Sequence, residues 1–368
     1  MRGADPDAVR RALADRDPLP GTTGFAGRLA DLLVRDVLGR EPLYAAREGD
    51  GWSHDPADLD EPVAVPAGHV RPLAARGAGE DGETERVWRL PDPDPVGGRE
   101  VVEAVRRALD TVLGEVATRR TDGLAVAFSG GVDSALLAAR LDAPLYVAGF
   151  PNSTDVAAAR EGARLLGREA DLHVVELDHD RLRAAVPEVV AATGRTDPMD
   201  VAIAVPLFLV ARAAAADGHD QLALGQGADE LFGGYDKVAG APTDSRVEAT
   251  TVRGARREVL ESLPEQLPRD VLALRAAGVE PVTPLLHDRV VRAALALDGN
   301  ALAGGGERKL ALRLAARAWL PDRLAFRPKR AVQYGSHVDR ELARLARQNG
   351  FKPRMENNVE RYVESLID

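Results

Sequence analysis

The stretch "GLAVAFSGGVDSALLAARL" (Gly123–Leu141) decides the fold. Leu124–Phe128 is apolar at every position, which reads as a strand covered on both faces rather than an alternating edge strand. "FSGGVDS" (Phe128–Ser134) then supplies a glycine turn, and "SALLAARL" continues as a helix. Strand, glycine turn and helix in that order put backbone N–H groups and a positive helix end where a phosphate can sit. The turn is not the GxxxxGK[ST] loop, because no lysine closes it, and it is not GxGxxG.

Outward from this core, apolar runs and helices alternate. "PLYVAGF" (Pro144–Phe150) and "LHVVEL" (Leu172–Leu177) read as strands, and "QLALGQG" (Gln221–Gly227) as a fourth. Between them lie helices over Asp155–Gly167, Leu182–Ala192 and Met199–Ala216. The alternation predicts an α/β fold with a doubly wound, mostly parallel sheet. From about Thr251 onward no strand is evident, so a helical C-terminal part is expected. Before the core, "REVVEAVRRALDTVLGEVATRR" (Arg99–Arg120) has amphipathic helical spacing. Glu80–Gly98 reads as a linker, "AGRLADLLVRDVLG" (Ala26–Gly39) as a helix, and "REPLYAAREGDGWS" as a hairpin around Glu48–Gly51. The expected division is 1–97, 98–345 and a tail, 346–368.

Composition narrows the chemistry. The 368 residues hold no Cys, which excludes a thiol nucleophile, a thiolate metal site and a disulfide. Acidic residues outnumber basic ones, 58 to 48, for a net charge of −10, which disfavours a broad nucleic-acid surface. The lysines are Lys237, Lys309, Lys329 and Lys352, and all other basic residues are arginine. Together with abundant Ala, this is a halophile-like balance. "MRGADPDAVRRALADRD" has no apolar signal core. The most apolar window, Val201–Ala216, is shorter than a membrane span and contains Pro206 and Arg212. The expectation is a cytoplasmic protein without a membrane partner.

"SGGVDS" resembles the pyrophosphate loop of the ATP pyrophosphatase class, whose members split ATP into AMP and pyrophosphate. "GQGADELFGGY" (Gly225–Tyr235), at a second strand end, sharpens the likeness. Taken together the two strings resemble the synthetase domain of the asparagine synthetase family, which includes the β-lactam synthetases. The resemblance implies ATP and Mg²⁺ as cofactors. It assigns pyrophosphate contacts to Ser129, Gly130, Gly131 and Ser134, and magnesium to Asp133 and Asp229. Backbone at Ala127, Ala148 and Gly225 would hold the adenosine, and Asp155 matches an acidic position after the family's second strand. In "ERKLALRLAARAWLPDRLAFRPKRAVQYGS" (Glu307–Ser336), Lys309, Arg313 and Lys329 match the family's K-x-x-L-R and R-x-K positions, and the resemblance assigns Lys309 and Lys329 to the nucleotide. Lys329 is the expected α-phosphate lysine, a compact ammonium kept where the chain otherwise uses arginine. "LPRDVLALRAAGVEPVTPLLHD" (Leu267–Asp288) resembles a further family segment loosely, with Asp270 and Glu280 as candidate bases and Val282 replacing an arginine.

Two departures bear on the substrate. Family members of the glutamine-using type begin with a Cys after Met removal, whereas here Arg2 follows Met1. Arg35–Leu59 nonetheless resembles the later part of that glutaminase domain, so a shortened glutaminase-like region is expected to precede the sheet. Nitrogen would then come from ammonia, a separate glutaminase, or an amine on the acceptor. The second departure is Gln226, where the family carries Glu or Tyr beside the acyl-adenylate. A carboxamide exchanges hydrogen bonds but takes no proton. The function implied is an AMP- and pyrophosphate-forming amide ligase acting on a small carboxylate, aspartate foremost, in a chain that could form a homodimer. Competing readings are a β-lactam-synthetase-like, NAD-synthetase-like or tRNA-modifying relative, or a nucleotide-binding scaffold without activity.

Overall fold

The computed structural model describes residues 1–73, 84–119, 122–241, 243–328 and 334–367. Its contacts divide the chain into two units: Met1–Val116 with Gly225–Pro268 and Thr283–Ala318, and Ala117–Leu224 with Arg269–Val282 and Trp319–Asp368. These units do not follow the expected division at 97/98 and 345/346. The latter boundary falls inside a helix, Tyr334–Gln348. Leu345 and Ala346 on that helix share a buried cluster with Tyr362 of the helix Asn358–Glu364.

In the first unit, β1 (Ala26–Leu29), β2 (Leu32–Arg35), β6 (His69–Pro72) and β7 (Glu85–Arg86) form an antiparallel sheet in the order β1-β2-β6-β7; β3 (Tyr44–Ala46), β4 (Trp52–Ser53) and β5 (Pro62–Ala64) form another, β4-β3-β5. The β1–β2 hairpin replaces the helix expected over Ala26–Gly39. Leu29 pairs with Leu32, leaving Ala30 and Asp31 as a two-residue turn, with Ala30 at φ 52°. No Gly or Asn marks that turn, and Leu29, Leu32 and Leu33 mimic helical spacing. The β3–β4 hairpin lies where it was expected. Part of the expected linker is strand, since β7 pairs with β6.

Buried charge ties this unit together. Arg40 is buried between two buried carboxylates, Nε to Asp36 Oδ1 at 2.8 Å and Nη1 to Asp288 Oδ1 at 2.7 Å. Its Nη1 also donates to the Leu286 carbonyl, 2.7 Å, and Asp288 Oδ2 accepts from the N–H groups of Gly21 and Thr22. Arg35 donates to the carbonyls of Glu41, Val65, Gly39 and Pro264. N-terminal residues are thus fixed to segments far along the chain, within one unit.

The second unit is built on the predicted sheet: β8 (Leu124–Ala127), β9 (Leu145–Gly149), β10 (Leu172–Glu176), β11 (Gln221–Ala223) and β12 (Glu280–Val282), in the order β10-β9-β8-β11-β12. Every pairing is parallel. β12 is a correction, because the region after Thr251 was expected to lack strands; three residues ending in Pro281 and Val282 give too short an apolar run to see. β8 and β9 are buried at every position, as a strand between two helical layers must be.

The helix Pro198–Ala216 joins the main core of this unit through Val201, Val205, Phe208 and Leu209. It extends past the apolar window to 19 residues, and among the described residues it alone has the length and hydropathy to cross a membrane. Yet 56% of its most apolar window is buried within the protein, where it serves as a core helix. Asp197 caps it, accepting from the N–H groups of Met199 and Asp200.

Candidate functional site

In a doubly wound sheet, ligands gather beyond the carboxyl ends of the strands at the point where strand order reverses. Here β8 is the first strand of this sheet in chain order; the sheet runs outward to β9 and β10 on one side and to β11 and β12 on the other. The reversal therefore lies between β8 and β11. The segments that leave these two strands are "FSGGVDS" and "GQGADELFGGY", the two strings singled out in the sequence.

After β8 the chain turns through Ser129–Gly131 into the helix Val132–Arg140, whose N-cap, Gly131, contributes no side-chain cap. Helix N-termini left uncapped by side chains offer their first-turn amides to an anion. The two serines shape the turn: Ser134 Oγ accepts from the Ser129 N–H at 3.2 Å, lies 3.2 Å from Ser129 Oγ, and donates to the Gly131 carbonyl at 3.3 Å. Gly130 sits at φ 72°, and a Cβ there would lie 2.3 Å from the Ala158 carbonyl oxygen. Only glycine fits both conditions. Ala127 and Ala148 are buried near the carboxyl ends of the paired strands β8 and β9. The second unit thus brings together seven expected residues: Ala127, Ser129, Gly130, Gly131, Asp133, Ser134 and Ala148.

Asp155 joins them after β9, in the first turn of the helix Thr154–Leu166. It is half-buried, and burial pushes its carboxyl up to about 6 against the opposing pull of His337. A carboxyl shifted toward neutrality at a strand end is a common signature of a working site.

The other string belongs to the first unit. Gly227, at φ 90°, caps the short helix Ala228–Phe232, and a Cβ on it would strike Leu286 Cδ2 at 2.4 Å. Asp229 is paired with the buried Lys309, Nζ to Oδ1 at 3.0 Å. The sequence assigned Lys309 to the nucleotide and did not foresee this partner. Lys309 holds a left-handed backbone, φ 56°, which costs a non-glycine residue about 1–2 kcal/mol. A Cβ at Gly234 would lie 1.9 Å from Asp229 Oδ1 and 2.3 Å from Lys309 Cε, so that glycine exists to let the pair form. Beside it, Glu230 is buried and accepts from the Tyr235 hydroxyl at 2.5 Å. Burial first, then the neighbouring Asp229 charge, raises its carboxyl above the ordinary range. Arg313 is buried, with Nε donating to the Arg308 carbonyl at 2.7 Å. Gly225 and Gln226 are half-buried at the start of this segment.

One expected base, Glu280, is placed elsewhere. Glu280 opens β12, in register with Gln221 at the start of β11, so it lies at the amino-terminal edge of the sheet. That edge is opposite to the Ser129–Ser134 turn, and its carboxylate is held by Arg275 at 2.9 Å. Asp270 is buried in an ion network: Arg269 Nε reaches Asp270 Oδ1 at 2.7 Å, Arg269 Nη1 reaches Asp200 Oδ1 at 2.7 Å, and Arg195 reaches Asp200 Oδ2 at 2.9 Å. The network depends on partners that local sequence does not reveal, and burial raises the Asp270 carboxyl above its ordinary range against the pull of Arg269. Lys329 lies outside the described residues.

Magnesium fits what is present. Mg²⁺ takes one or two carboxylates and fills its shell with phosphate oxygens and water rather than a protein cage. Asp133, in the first turn of the helix after the glycine loop, is such a carboxylate, and among the described residues no cluster of three His, Asp or Glu forms a self-contained metal site.

A glycine turn with uncapped helix amides at the reversal of a parallel sheet defines the class: a doubly wound α/β unit. The family model described as asparagine synthase matches residues 104–269 and 244–364, and the chain belongs to that family. A putative glutamine-hydrolysing asparagine synthetase 1 of Methanocaldococcus jannaschii is 29% identical over 294 residues, covering 69% of this chain and 54% of the relative. Asparagine synthetase B of Escherichia coli is 27% identical over 353 residues, covering 87% and 62%. The chain spans about half to three fifths of the length of these relatives. Among solved structures, a U34-tRNA thiolase of Methanococcus maripaludis aligns at TM-score 0.27 and 14% identity, over 73% of this chain and 78% of that one, too distant to carry an argument.

Proposed function

We propose that the protein is an ATP-dependent amide ligase that adenylates a small carboxylate, aspartate foremost, and passes the acyl group to ammonia or another amine. The observation that carries this reading is the placement of the two glycine strings: each leaves one of the adjacent strands, β8 and β11, between which the strand order reverses. In the first step a carboxylate oxygen attacks the α-phosphorus, the bond to the bridging oxygen breaks, and pyrophosphate leaves. In the second an amine attacks the acyl carbon and AMP departs.

The turn amides and the hydroxyls of Ser129 and Ser134 bind and orient the leaving pyrophosphate by placing donors where charge develops. Asp133 and Asp229, as the family pattern assigns, would hold Mg²⁺, which would supply charge neutralisation for the triphosphate. Lys309 fixes the Asp229 carboxylate, and Lys329 is the proposed α-phosphate lysine. Glu280 drops out as a base because it lies at the other edge of the sheet, whereas Asp270 stays a candidate, its carboxyl raised by burial against the pull of Arg269. Gln226 is left to orient the amine by hydrogen bonds, so an acceptor that arrives unprotonated is favoured.

We read the N-terminal residues as related to part of a glutaminase domain. Support comes from the E. coli relative, whose alignment covers more of this chain than the family model does. The protein incubated with ATP, Mg²⁺, aspartate and ammonium in molar KCl is expected to yield AMP, pyrophosphate and asparagine. Pyrophosphate release with another carboxylate alone would keep the class and reject aspartate, whereas formation of ADP and phosphate would overturn the reading.

A further inference from the structure

We infer that Arg327 is a positioning residue that sets the anion-binding form of the turn after β8; the inference rests on the reading above that this turn holds pyrophosphate. Arg327 Nη1 donates to two carbonyls, that of Ala158 at 2.8 Å and that of Gly130 at 3.3 Å. These carbonyls belong to two segments in very close approach. A Cβ on Gly130 would meet the Ala158 oxygen at 2.3 Å, and a Cβ on Gly162 would lie 2.9 Å from the Gly130 Cα. Helix Thr154–Leu166 thus lies directly against the turn, and a guanidinium N–H bridges the two backbones.

The consequence follows from peptide geometry. The chain has no cis peptide among the described residues, and in a trans peptide the C=O of one residue and the N–H of the next point in opposite directions. When Arg327 draws the Gly130 carbonyl toward helix Thr154–Leu166, the Gly131 N–H turns the other way, to the side of the Ser129 hydroxyl. Their separation is 3.5 Å, long for a hydrogen bond, so this contact holds the amide only loosely. Gly131 is also the N-cap of the helix that follows, and its amide is the one a bound anion would meet first. With φ at 72°, Gly130 has the backbone freedom to let this peptide plane rotate. Arg327 removes that freedom from a distance, through the carbonyl, without touching the anion.

A residue acting in this way controls pyrophosphate and leaves the nucleoside alone. The test is calorimetric titration of the full chain, in molar KCl with Mg²⁺, using inorganic pyrophosphate, ATP and AMP as separate probes. Arg327→Met is expected to weaken pyrophosphate and ATP by about tenfold, the value of one charge-assisted hydrogen bond, with AMP unchanged. Arg327→Lys keeps a cationic donor and should fall between the variant and the wild type; it decides the matter should Arg327→Met not fold. Pyrophosphate affinity unchanged in both variants overturns the inference, as does an equal loss for all three probes, which would mark a general packing role. A wild-type protein that binds neither pyrophosphate nor ATP would instead overturn the reading of the turn itself, and this inference with it.

Discussion

The two glycine strings look alike in sequence and are built from opposite materials. Ser129–Ser134 is shaped by hydroxyls, backbone and the close approach of a helix, with Arg327 supporting it through the Gly130 and Ala158 carbonyls. Gly225–Tyr235 is organised by buried charge, with Lys309 on Asp229, Glu230 on Tyr235, and Gly234 leaving room for the ion pair. The first can be perturbed locally and still leave a folded protein. The second cannot lose a charge without stranding its partner in a low-dielectric setting, where an uncompensated ion is costly.

That difference sets an order of effects, beginning in the unit that carries the second string. Arg40→Met leaves the buried Asp36 and Asp288 carboxylates facing each other without a cation, and should cost about 3–5 kcal/mol of stability in denaturant unfolding. A loss under about 1 kcal/mol would mean these carboxylates find other partners. Next is Lys309→Met, which frees Asp229 on one side. Because Asp229 is partly exposed, the stability loss should be smaller, about 1–3 kcal/mol, while pyrophosphate release from ATP is abolished. Retained turnover would separate Asp229 from the chemistry.

Gly130→Ala comes third. It places a Cβ against the Ala158 carbonyl and forces alanine into a left-handed conformation, at about 1–3 kcal/mol. Pyrophosphate affinity should fall while AMP affinity holds, measured by titration; the reverse pattern would move the anion away from this turn.

The smallest effect is the pH dependence from Asp155. Its carboxyl is raised on folding, so the folded protein binds that proton more tightly than the unfolded chain. The associated stability is full below the ordinary carboxyl range and is lost as pH rises through about 6. Asp155→Asn should flatten the difference in unfolding free energy between pH 4 and pH 7 relative to wild type. Unchanged slopes would show that Asp155 is solvated as an ordinary surface acid.

How legible each part was follows from the same contrast. The strands Leu145–Gly149 and Leu172–Glu176 and the helix Gly98–Thr118 lie within a residue or two of their expected limits, because burial on both faces and helical periodicity are local signals. The turn after β8 was legible because its glycine is demanded by backbone geometry and its serines bond within a few residues. The β1–β2 hairpin was not, since its turn uses Ala30 and Asp31. The Arg40–Asp288 and Lys309–Asp229 pairs and the Asp200–Arg269–Asp270 network were hidden for a different reason: each charge looks like an ordinary surface residue until the fold delivers a distant partner. The same blindness hid the arginine partners of Asp270 and Glu280, which are Arg269 and Arg275.

The most direct test of the central claim is exchange of labelled pyrophosphate into ATP, run with Mg²⁺ in molar KCl and with aspartate as the carboxylate. Reversible adenylation predicts exchange that requires the carboxylate, needs no amine, and disappears in Lys309→Met. Nucleotide turnover without any pyrophosphate exchange, with ADP as the product, would contradict it.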